Sequence, residues 1–198
     1  MMKRLTALLL TMLLALPCAA YAEAGETVAE ILAPYVLTAP EGMTAEVGVS
    51  GSSVTYVNGK VRVVAQTLQR VPDEHGDHAA ELEKLMRQYA PAARELTPLG
   101  LCEGFWGLAA TVPDSLNGAG GRQIPMVTVM VLWQSPMEGE LLILSGYDLE
   151  GRAGDTDAAW AMVAGLLEGT TLNGRPVLPP RAEEPAPAPA ETDVPADA

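Results

Sequence analysis

"SVTYVNGKVRVVAQTL", residues 53–68, decides the fold. β-branched and aromatic residues fill both halves of the stretch. Between them stands Asn58-Gly59, a dipeptide that tolerates the positive φ angles of a tight type I′ turn. A hairpin is therefore predicted, with strands over Ser53–Val57 and Lys60–Leu68. A hairpin cannot bury its apolar residues alone, so the rest of the chain must supply further strands and a cover.

On the C-terminal side the hydrophobic period changes from two to nearly four. "DHAAELEKLMRQYA" sets His78, Leu82, Leu85, Met86 and Tyr89 on one helical stripe, with Glu81, Glu83, Lys84 and Arg87 off it. Asp77 is a natural N-cap and Pro91 a stop, so the helix is expected over 77–90. Strand patterns follow in "GFWGLAATV", "IPMVTVMVLWQ" and "GELLILSGY". The last two are apolar in both phases, as central strands covered on both faces would be. Met137-Glu138-Gly139 links them tightly. A second helix is expected over Asp155–Glu168, with Trp160 as its core anchor beside Val163 and Leu167, and Met162 and Leu166 widening the stripe. Gly165 weakens this helix, and Gly169 ends it. "YVLTAPEGM" opens the domain as a short β-run broken by Pro40 and Gly42. Hairpin, helix, meander and helix together specify an α+β fold, an antiparallel sheet packed by helices.

Several of these segments resemble PsbP-like domains. "YVLTAPEGM" is similar to that superfamily's opening pattern, "EGFWGLAATV" to a strand of its meander, and "AAWAMVAGLLEGTTL" to its closing helix, over residues 33–172. The chain departs at Met43, where an aromatic is usual, and at Thr170-Thr171, where serine is usual. The resemblance implies an α/β/α sandwich. It also implies an assembly, binding or accessory role, because most members are not enzymes. Nothing in the sequence points to photosynthesis.

The ends of the chain speak to destination. Residues 1–22 have a basic start at Lys3 and Arg4, an apolar run over Leu5–Leu16 and a small-x-small site at Ala20-Tyr21-Ala22. This is the pattern of a cleavable signal peptide, and the run is too short to span a bilayer. Cleavage is expected after Ala22, with Ala24 as the alternative. Pro17 before Cys18 disfavours lipidation there. The remaining chain, 23–176, is one domain's worth. Residues 177–198, dominated by Pro, Ala and acids, are expected to be a disordered tail. Without the two bases and no acids of the leader, the formal net charge moves from −13 to −15. Such a domain repels phosphate backbones, so nucleic-acid binding is disfavoured. No stable membrane insertion is expected after cleavage. With Cys18 removed, Cys102 is left alone, and a lone thiol is most often a small buried apolar group.

Candidate chemistry is sparse. "PDEHGDH", residues 72–78, holds both histidines of the chain, so His75, His78, Asp73 and Asp77 are the candidate ligands of a divalent metal. The competing account is structural: Pro72 ends a strand, residues 73–76 turn, and Asp77 caps the helix. His75 then falls before the helix boundary and His78 after it, which does not require them to converge. No Gly-x-Ser-x-Gly elbow is present. Gly118-Ala119-Gly120-Gly121 lacks the lysine of a phosphate loop. Trp106, Trp133 and Trp160 are expected in the core or at its margin. Two functions of different class remain: an exported, non-catalytic binding or accessory domain, or a secreted hydrolase. A filled core with a shallow groove favours the first, and a deep pocket of converging polar groups the second. The first is expected, with no cofactor, and with an unidentified protein or small molecule outside the cytoplasm as partner.

Overall fold

The computed structural model describes residues 28–70, 76–118, 121–135, 138–152 and 154–180. The signal-peptide expectation for residues 1–22 lies outside this set, as do His75, Asp73 and residues 181–198. In chain order the elements are β1 (Tyr35–Leu37), β2 (Thr44–Val47), β3 (Val54–Asn58), β4 (Val61–Arg70), α1 (His78–Tyr89), β5 (Arg94–Leu99), β6 (Phe105–Asn117), β7 (Gln123–Gln134), β8 (Gly139–Asp148), α2 (Asp157–Glu168), β9 (Thr170–Leu172) and β10 (Arg175–Pro176). A helical segment, residues 28–32, precedes β1.

The predicted hairpin is β3–β4. Its registered pair Asn58↔Val61 leaves Gly59 and Lys60 at the turn. Gly59 has a φ of 59°, and neither Asn58 nor Lys60 is in the positive region. The turn thus needs glycine at its first central position only, as in type II′ rather than the expected I′. β2 and β4 flank β3, and the main sheet runs β2–β3–β4–β8–β7–β6–β5 with every neighbouring pair antiparallel.

β8 and β7 occupy the middle, which explains why both phases of their sequences are apolar. Val129 and Val131 with Leu142 and Leu144 face one side, where Met162, Val163 and Leu166 of α2 pack. Met130 and Leu132 with Leu141 and Ile143 face the other, under Leu82 and Met86 of α1. One helix per face makes the α/β/α arrangement of an α+β fold. Each fully buried aliphatic side chain contributes about 1.5–3 kcal/mol.

Local chemistry fixes both helices. Asp77 Oδ1 accepts hydrogen bonds from the backbone N–H groups of Ala79 and Ala80 at 3.0 and 3.3 Å, so it is the N-cap that starts α1. Arg70 on β4 donates to Glu81 at 2.6 Å and ties the helix to the sheet. α2 starts at Asp157, later than expected, and its Thr156 cap makes no side-chain hydrogen bond. Its Gly165 has a packing reason: a Cβ there would lie 3.1 Å from the Pro40 ring. Its anchors are Val163 and Leu166, both fully buried. Trp160, the expected anchor, is only partly buried and packs at the edge of this core. It sits one helical position too far round to point straight at the sheet.

A second, three-stranded sheet, β1–β9–β10, joins the start of the described chain to its end. At Gly169 a Cβ would stand 2.4 Å from the Thr38 carbonyl oxygen, so glycine is required there by close backbone approach. Packing continues past the expected domain limit at Pro176, through Val177 and the partly buried Leu178. Val177 is 0% exposed, belongs to the α2-side core, donates its N–H to Thr170 O and accepts from Cys102 N–H. An isolated valine among prolines carries no periodic signal, but here it is packed domain rather than tail.

Candidate functional site

The residues singled out in "PDEHGDH" have separate tasks where they are described. Asp77 is committed to the α1 cap. His78 lies at the first turn of α1 and packs on Trp106, with ring centroids 4.0 Å apart and a tilt of 50°. His75 and Asp73 lie outside the described residues. Among the described residues no group of three or more His, Cys, Asp or Glu side chains converges. Asp77→Ala is expected to cost about 1 kcal/mol of stability, measured as a lower urea midpoint. A metal role would show differently: zinc would raise the melting temperature, and His75→Ala or His78→Ala would abolish that rise.

A different site emerges at the end of the α2-facing side of the sheet. Moving down this face, the apolar row containing Leu142 and Val131 gives way to a row that runs across four strands: Gln69, Glu140, Trp133, Phe105. These residues are direct cross-strand partners in the order β4, β8, β7, β6. Cross-strand partners on one face have their Cβ atoms about 4.5–5.5 Å apart, so the Glu140 carboxyl is bracketed by an amide and an indole. Ala33, Pro34 and Asn173 overhang this row and, with Thr67 and Glu138, enclose an open groove of about 600 Å³. The overhang is held by hydrogen bonds. Thr67 Oγ1 donates to Ile31 O at 3.0 Å, and the Tyr35 hydroxyl lies 3.3 Å from Val131 O and 3.2 Å from Glu140 O. Asn173 takes a left-handed φ of 49° in the β9–β10 turn, a conformation that asparagine tolerates better than most residues.

The electrostatics of the groove centre on Glu140, which is 7% exposed. Burial raises its pKa above the usual carboxylate value. The Gln69 hydrogen bond opposes that shift, and the nearby charge of Glu138 adds to it. Glu140 in turn reinforces the upward shift that burial imposes on Tyr35. The ion pairs formed among the described residues are Lys60–Glu150, Arg70–Glu81 and Arg87–Glu83. Glu140 is thus mostly shielded from solvent at the wall of an open groove and forms no ion pair among the described residues, an unfavourable setting for a charged carboxylate.

A carboxyl whose folded pKa is raised binds more protons folded than unfolded through that pH window. Its contribution to stability therefore falls as pH rises from the ordinary carboxylate value through the raised one. Glu140→Gln keeps an oxygen for the Gln69 amide and removes the charge. The variant is expected to match or exceed the parent in urea stability at neutral pH, and to lose that advantage in acid. A variant that is markedly less stable at neutral pH would mean that the ionised carboxylate is well compensated.

Sequence reasoning missed this site because its members come from five separate segments. One signal was present: Glu140 occupies the same strand phase as Leu142 and Leu144, an acid on an otherwise inward-facing row. No helix among the described residues is long and apolar enough to cross a membrane.

No known family matches the sequence, and no curated protein matches it. Among solved structures, the chain is similar to LpqN of Mycobacterium tuberculosis, described as involved in cell envelope biogenesis. The two are 14% identical, the match covers 73% of this chain and 83% of LpqN, and the TM-score is 0.47.

Proposed function

We propose that this chain is an exported, non-catalytic binding or accessory domain of the PsbP-like type, and that it meets its partner in the groove around Glu140. The observation that carries this reading is the row Gln69–Glu140–Trp133 under the Ala33–Pro34 overhang: polar groups and an aromatic face gathered at one open site beside a filled core. Sites of this kind, concave and with a few placed polar groups, are where ligands bind. Its chemistry favours recognition. Both carboxyls, Glu138 and Glu140, stand on the sheet side, whereas glycoside hydrolysis needs carboxyls flanking the scissile bond. The leader-like residues 1–22 and the strongly acidic composition support export and argue against nucleic acid as the partner.

A photo-crosslinking amino acid placed at position 133, in the full chain expressed with its own leader, tests this proposal. Adducts are expected from the cell envelope or the medium, and they should be absent when the crosslinker sits at position 83 on the exposed face of α1. Equal labelling at both positions, or adducts that form only with cytoplasmic components, would overturn it.

A further inference from the structure

Resting on that binding-groove reading, we infer that the ligand group taken by the groove is an organic ammonium, a positively charged nitrogen with an apolar shell. Three observations lead there. First, Glu140 is 7% exposed yet lines the groove, and among the described residues it has Gln69 as a hydrogen-bond partner but no ion-pair partner. A buried carboxylate is stabilised when an opposite charge is brought to it. Second, Trp133 is the direct cross-strand neighbour of Glu140 and lines the same groove. An indole face attracts cations within about 6 Å of the ring, more strongly when water is excluded. Third, the same row already holds a cation against an aromatic ring. The Arg175 guanidinium lies 5.9 Å from the centroid of Phe105, the next residue after Trp133 across the sheet.

These features select against other ligands. A phosphate or carboxylate would face Glu138 and Glu140 together in a chain of net charge −13. A neutral ligand would leave the Glu140 charge uncompensated. A small, strongly hydrated metal ion would not use the indole. The ammonium satisfies the carboxylate by charge and the indole by its polarised methylene or methyl groups. Binding favours the ionised carboxylate, so it is linked to release of a proton where free Glu140 is still protonated. Among the described residues, the titratable groups facing Glu140 are Glu138, just before β8, and Tyr35 from β1.

Isothermal titration with choline, and with its neutral carbon isostere 3,3-dimethylbutan-1-ol, separates the possibilities. Choline is expected to bind at about pH 8 and more weakly at about pH 5, with little or no heat from the isostere. Glu140→Gln, checked for folding by its urea midpoint, and Trp133→Leu should each weaken choline binding by about tenfold. Equal binding of the isostere would overturn the ammonium assignment and leave the groove as a binding site for neutral ligands. Absence of choline binding in the parent protein would also overturn it, and crosslinking at position 133 would then decide the groove reading separately. Choline binding unchanged in both variants would place the ammonium outside the groove and refute the assignment.

Discussion

Replacing Tyr35 with alanine is expected to lower the unfolding free energy by about 3–5 kcal/mol, the range for removal of a buried aromatic side chain. Tyr35 is 1% exposed and packs in the α2-side core. Its hydroxyl reaches the backbone of two central strands, at Val131 on β7 and Glu140 on β8. Its own strand, β1, pairs with β9, so one side chain links the small sheet to the large one. Tyr35→Phe should cost far less, about 1 kcal/mol, because only the hydroxyl contacts are lost. Urea denaturation of the two variants separates packing from hydrogen bonding. A Tyr35→Ala loss below about 1 kcal/mol would mean that the core closes without this ring.

Two truncations should differ sharply although their end points are four residues apart. Stopping after Pro180 removes only the Pro, Ala and acid-rich segment and is expected to leave the urea midpoint almost unchanged. Stopping after Pro176 removes Val177 as well. That deletes a fully buried side chain, worth about 1.5–3 kcal/mol, and two backbone hydrogen bonds of about 0.5–1.5 kcal/mol each. A loss of several kcal/mol is expected. Equal midpoints for the two chains would show that Val177 does not hold β9 and the Cys102 segment together.

The elements with regular periods were the ones that could be read from residues alone. The β3–β4 hairpin, both helices and the three long strands announce themselves through alternation, helical stripes and caps. The two-phase apolar pattern of β7 and β8 even implied their central position. The short strands gave no such signal. β2, Thr44–Val47, is mostly exposed at one sheet edge. β5 at the other edge contains Pro98, a left-handed Glu95 with φ 54° and a register shift between Arg94 and Thr97. These features suit an edge strand and disguise it as a loop. β9 and β10 total five residues and exist because β1 is there to pair with. The tryptophans show the same limit. Trp133 and Trp160 both lie at the margin of the core, but only the cross-strand register puts Trp133 beside a carboxyl. The groove depended on long-range pairing between residues as distant as Pro34 and Asn173, whereas "PDEHGDH" attracted attention because its polar residues are adjacent in sequence.

The groove around Glu140 holds a carboxyl that is mostly shielded from solvent and has no ion-pair partner among the described residues. This is tested most directly by following the side-chain carboxyl carbon of Glu140 by NMR through an acid titration, assigned by its disappearance in Glu140→Gln. The account predicts that this carboxyl titrates above the ordinary glutamate value, and that its pKa falls when choline is added. Titration together with the exposed glutamates, unmoved by choline, would contradict it.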